Sequence, residues 1–181
     1  LASSSVESVT ETAVAAVKAC TKKTGFLFAD THSSSPVKLD AYDGKKAEFI
    51  IEGDRLFVKS FDGSGDTFSL FKHTLSNGVV SAAEMLDTGV KACSIIGSDM
   101  WYRRSVSGSS LCDLYKYSAE KEKIDGDVAS FARMSDGSVL IVKNFVSSPD
   151  GDIADLYLYD GKKTAPVSEK AELKNMKYSD K

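Results

Sequence analysis

Between residues 24 and 166, short β-rich runs alternate with turn chemistry, and no helical period is sustained. That rhythm constrains the fold more than any other feature, because strands so short and so regularly spaced belong to sheets built from hairpins. Apolar runs stand at residues 25–28, 47–51, 56–58 and 68–73. Glu52-Gly53-Asp54 separates the second run from the third with a tight-turn composition. Ser76-Asn77-Gly78 carries the Asn-Gly pair that favours the positive φ angles of a two-residue hairpin turn. Met100-Trp101-Tyr102 is expected to pair with Leu114-Tyr115-Lys116-Tyr117. Residues 128–134 should lead through Ser135-Asp136-Gly137 into Val139-Leu140-Ile141-Val142, and Leu156-Tyr157-Leu158-Tyr159 forms the last clear strand.

The N-terminal stretch departs from this rhythm. Val6, Val9, Ala13, Val17 and Cys20 fall on one helical face, and Ser4 with Glu7 fits a capping box. A short amphipathic helix inside residues 5–20 is expected, the competing reading being a strand over residues 14–20. The chain thus divides into an N-terminal segment (1–23), a β-repeat domain (24–168) and a polar C-terminal segment (169–181).

Internal repetition suggests how the strands are grouped. Tyr42-Asp43-Gly44-Lys45-Lys46 recurs as Tyr159-Asp160-Gly161-Lys162-Lys163, and Val58-Lys59-Ser60-Phe61 resembles Val142-Lys143-Asn144-Phe145. Val17-Lys18-Ala19-Cys20 matches Val90-Lys91-Ala92-Cys93, an offset of 73 residues shared by Ser34/Ser107, Asp40/Asp113 and Tyr42/Tyr115. Strand centres at Leu27, Leu56, Met100 and Leu140 are 29, 44 and 40 residues apart. A unit of about 40 residues is the size of a propeller blade. Ser148-Pro149-Asp150-Gly151 adds a tetrapeptide that often joins two strands of such a blade. On these features the chain resembles bacterial β-propeller repeats of the WD40-like or TolB type. The resemblance implies an all-β fold of four blade-like repeats, as a small propeller or a fragment of one, with a β-sandwich as the alternative.

Composition bounds the function classes. A chain of 181 residues builds one domain or two very small ones, and 42% apolar with 27% charged residues is ordinary for a globular chain. The net charge of −3 gives no basic footprint for nucleic acid. No apolar run approaches the roughly 18 residues of a membrane-spanning helix. The opening Leu1-Ala2-Ser3-Ser4-Ser5 carries no methionine, from which a processed N-terminus and an extracytoplasmic or organelle-lumen location are expected. Cys20, Cys93 and Cys112 lack any Cys-x-x-Cys spacing, and His32 and His73 stand far from them in sequence, so no zinc site is expected. A Cys93–Cys112 disulfide and three small buried thiols both remain open.

Signatures of chemistry are sparse. Nucleophile elbows, phosphate-cradling glycine loops and His-Glu-x-x-His are all absent from the sequence. Asp62 with Asp66, and Asp150 with Asp152, place hard oxygen ligands close together and are the candidates for calcium. A solvated turn fits both loops better, since neither supplies a full ligand series, and no metal or cofactor is expected. Trp101, Tyr102, Arg103 and Arg104 form the candidate binding cluster, as aromatics beside arginine are common at interfaces. Strand alternation splits the four, because Trp101 and Arg103 cannot share a face with Tyr102 and Arg104. Trp101 itself is expected in the core, which its cross-strand aromatics favour over an interface.

These readings converge on a non-catalytic β-scaffold, a protein-interaction or structural subunit extrinsic to a larger membrane-bound assembly. A protein partner is expected, without nucleic acid and without a membrane-spanning segment. The alternative is an extracytoplasmic small-molecule or glycan-binding domain, with hydrolysis a remoter variant.

Overall fold

The computed structural model describes residues 15–19, 26–30, 37–42, 45–63, 65–77, 79–109 and 111–173. Fourteen strands account for most of them: β1 Ala15–Ala19, β2 Phe26–Asp30, β3 Val37–Leu39, β4 Lys46–Glu52, β5 Arg55–Phe61, β6 Phe68–Ser76, β7 Val79–Val80, β8 Glu84–Ile96, β9 Asp99–Ser105, β10 Cys112–Tyr117, β11 Lys121–Arg133, β12 Val139–Val146, β13 Ile153–Tyr159 and β14 Thr164–Glu172. The single helical element among the described residues is one 3-10 turn, Asp40–Tyr42. The fold is all-β. No described helix is long and apolar enough to cross a membrane.

Strands β1, β2 and β3 form a small antiparallel sheet. The other eleven form one open antiparallel sheet in the order β14-β13-β12-β11-β10-β9-β8-β6-β5-β4, with β7 paired to β6. The hairpin turns follow their local chemistry. Asn77 sits at φ 49° between the paired residues Ser76 and Val79, the left-handed backbone that Asn tolerates and β-branched residues resist. The expected pairing of residues 100–102 with 114–117 is present, with Tyr102 opposite Tyr115 and Trp101 opposite Lys116.

Three expectations are corrected. The ladder passes from strand to strand without the interruptions that divide propeller blades, so the four-blade grouping gives way to an open meander. The matched pentapeptides are not equivalent turns: Tyr159 and Thr164 are paired across a hairpin, whereas Tyr42 ends a 3-10 turn between strands of different sheets. Turn dipeptides fix local backbone shape, and local shape alone does not set which strands pair. Residues 15–19 form a strand rather than the end of a helix, because β2 offers them a full backbone ladder. The remainder of the expected helix, residues 5–14 and Cys20, lies outside the described residues.

The chain resolves into two compact units. The first comprises residues 1–63 and 70–85, the second residues 64–69 and 86–181. In the first, Leu39, Tyr42, Leu56 and Val58 form the buried cluster, with Phe49 and Phe71 packed against it. Tyr42 meets Phe71 edge-on at 5.5 Å between ring centroids, and its hydroxyl lies 2.8 Å from His73 Nε2. His73 Nδ1 lies 2.8 Å from the Ser81 carbonyl. A carbonyl only accepts, so Nδ1 carries the proton and Nε2 accepts from the tyrosine. Burial pushes the Tyr42 hydroxyl up to about 12.

In the second unit, Ile96, Trp101, Leu114, Val128, Val139, Ile141 and Tyr159 form one core. Trp101 on β9 and Tyr159 on β13 meet edge-on with centroids 5.5 Å apart. Four strand steps separate them, roughly 19 Å across a flat sheet. The sheet of this unit therefore coils around its core face until strands four places apart face each other across a filled interior.

Candidate functional site

Where one face of β8–β11 forms that core, the opposite face carries a polar cluster centred on Asp87. Register places the groups: Val90 opposes Arg104, Tyr102 opposes Tyr115, and Tyr117 opposes Lys121. The Asp87 carboxylate is nearly buried, its side chain only 6% exposed. One oxygen accepts from Arg104 Nε at 3.1 Å and from the Thr88 amide at 2.9 Å. The other accepts from Lys121 Nζ at 3.2 Å and from the Tyr102 hydroxyl at 3.3 Å. Four donors on two oxygens satisfy a carboxylate that burial would otherwise penalise.

Around this centre the aromatic rings are layered. Tyr102 is fully buried and stacks on Tyr115 at 5.5 Å between centroids, with 17° between the ring planes. Lys121 Nζ stands 5.3 Å from the Tyr115 centroid, a cation–π contact. Asp113 accepts from Lys123 Nζ at 2.8 Å, and that bond holds the Lys123 ammonium above its ordinary value. Burial, then the charge of Asp87, pushes the Tyr102 hydroxyl far above the ordinary tyrosine value. A phenol held neutral and donating its hydrogen bond to an already satisfied carboxylate is a poor proton shuttle at neutral pH. The rim is different. Arg104 and Lys121 keep 43% and 42% of their side chains exposed, two cations over one carboxylate.

The four expected binding residues are thereby split as strand alternation requires. Trp101 is 3% exposed, in the core beside Phe131 and Tyr159. Arg103, on the same face as Trp101, donates through Nη1 to the Ala129 carbonyl and so closes a backbone group of β11. Tyr102 and Arg104 belong to the Asp87 cluster. Asp87 itself escaped the sequence reading, since its partners lie 15 and 34 positions along the chain. Its one signal in the sequence was an acid set between the apolar Leu86 and Val90.

The loop aspartates have surroundings of their own. Asp62 is exposed and pairs with Lys45 at 3.5 Å; Asp66 and Asp150 are exposed; Asp152 accepts from the Ser147 hydroxyl at 2.7 Å. Among the described residues no three His, Cys, Asp or Glu side chains gather to hold a metal ion. Cys93 and Cys112 are not bridged to each other. They flank β9 from either side, Cys93 opposite Tyr102 and Cys112 opposite Ser105, and so point to opposite faces. A disulfide between them is ruled out by that geometry. Comparison with family models, with curated proteins and with solved structures finds no match to this chain.

Proposed function

We propose that this protein is a non-catalytic β-scaffold that acts by protein interaction, presenting Arg104 and Lys121 to an acidic segment of a partner. The single observation that carries the reading is the half-exposed pair of cations around one buried carboxylate. Asp87 holds both side chains in place, so they lose little freedom when an anionic group docks, and their combined charge exceeds that of the carboxylate beneath them. The glycan reading is less well supported. Sugar stacking needs an open aromatic face, whereas Tyr102 and the Lys121 ammonium both cover the Tyr115 ring. A role as an extrinsic subunit of a membrane-bound assembly, on its extracytoplasmic or lumenal side, belongs to the same proposal and rests on composition.

Titration of isotope-labelled protein with a hexaglutamate peptide, followed by amide chemical shifts, tests the reading. Shifts should concentrate at residues 87–90, 102–104 and 115–123, and should vanish in the double variant Arg104→Gln/Lys121→Gln. Shifts that survive the double variant, or that follow a neutral chito-oligosaccharide instead, would sink it.

A further inference from the structure

The two strands that end the eleven-stranded ladder are finished differently. β14 is blunted: Pro166 lies within it, Lys170 has a φ of 51°, and its pairing with β13 shifts register twice. The Lys170 amide donates to the side chain of Asp155 on β13 at 2.8 Å. These are the devices by which an edge avoids pairing with other chains. β4 carries the charges of Lys46, Glu48 and Glu52 but no such backbone interruption, and among the described residues its ladder neighbour is β5. All seven of its residues pair with β5 without a register shift, and it contains neither proline nor glycine nor a positive φ.

The sequence of β4, Lys46-Ala47-Glu48-Phe49-Ile50-Ile51-Glu52, is also self-complementary. Laid antiparallel against itself with all seven residues matched, it turns about a two-fold axis at Phe49. That register sets Lys46 opposite Glu52 of the second copy, twice over, and Ala47 opposite Ile51. Glu48, which falls opposite Ile50, is already balanced by Lys59 of its own chain at 3.3 Å. Opposite charges directly across an antiparallel pair stabilise it, and like charges there oppose it. We infer that β4 pairs with β4 of a second copy of this chain, joining two sheets through an isologous two-fold contact. This surface shares no residue with the Arg104–Lys121 rim.

The test is the oligomeric state by light scattering up to about 1 mM, the weak end of specific association. The wild-type chain should dimerise. Lys46→Glu alone and Glu52→Lys alone should each weaken the dimer by about tenfold or more, since each turns both attractive pairs into repulsive ones. An equimolar mixture of the two single variants should recover association as a heterodimer, because every cross-copy pair is then opposite in charge. A variant that had merely lost its fold would not be rescued by mixing. A wild-type chain that stays monomeric, a dimer indifferent to either reversal, or a mixture no stronger than its components would overturn the inference.

Discussion

Trp101 and Tyr42 show how single side chains anchor the two units. Trp101 is enclosed by Phe131, Tyr159 and the aliphatic core, so its truncation to Ala removes a large buried ring and leaves a cavity. The expected cost is about 3–5 kcal/mol in chemical denaturation. The wild-type emission should be blue-shifted and resist acrylamide. Tyr42 acts through its hydroxyl as well as its ring. Replacing it by Phe leaves His73 Nε2 buried without a donor, at an expected cost of about 1–3 kcal/mol. The alkaline limb of stability carries the same signature. The Tyr42 hydroxyl is raised from 10.0 to about 12, so its contribution is fully present below pH 10 and is lost as the pH rises through about 12. In that window stability should fall by about 1.4 kcal/mol per pH unit for this one proton. Tyr102 is shifted the same way and adds to the slope. In Tyr42→Phe the slope should shrink by one proton; an unchanged slope would remove Tyr42 from the account.

At the scale of elements, hairpins with short turns were legible because their determinants are local. Asn77, in left-handed backbone, follows the paired Ser76 at the turn from β6 into β7, and Gly53, at φ 57°, turns β4 into β5 between the paired Glu52 and Arg55. The grouping of strands was not legible, because it depends on partners far along the chain. Val17-Lys18-Ala19-Cys20 and Val90-Lys91-Ala92-Cys93 look alike in sequence, yet residues 17–19 lie in β1 and residues 90–93 in β8, strands of different sheets. Nor did sequence disclose how the edge strand β14 is held. Asp155 of β13 reaches both Asn144 Nδ2 at 2.7 Å and the Lys170 amide at 2.8 Å, and the Asn144 bond, then the amide, holds its carboxyl below the usual carboxylate range. Its contribution is therefore present above the ordinary carboxylate value and fades as the pH falls through the lowered one. Asp155→Ala should release the edge, with amide exchange at residues 168–172 at least about tenfold faster and little change in the core strands. Equal protection in the variant would show that β14 is held by its ladder alone.

Across the whole molecule, the polar side chains that looked most like functional equipment serve largely to hold strands together. Arg103 closes a carbonyl of β11, Tyr102 bonds to Asp87, and Lys143 pairs with Asp125 at 2.9 Å. Arg104 and Lys121, by contrast, stay half-exposed on the outer face of the coiled sheet of the second unit. Of that site the sequence disclosed Tyr102 and Arg104. Lys121 lay in a mixed-charge run that reads as a solvated edge, and Asp87 had no motif around it. The inward facing of Trp101 and the outward facing of Arg104 both depend on the sheet coiling about its core face. The distance between two rings tests that claim most directly. In assigned spectra of the native protein, nuclear Overhauser contacts should link the Trp101 indole to the Tyr159 ring, whose centroids lie 5.5 Å apart. A flat sheet would hold these rings roughly 19 Å apart. Strong Trp101–Tyr159 cross-peaks are predicted; their absence, with Trp101 contacts confined to neighbouring strands, would contradict the coiled sheet and the outward face built on it.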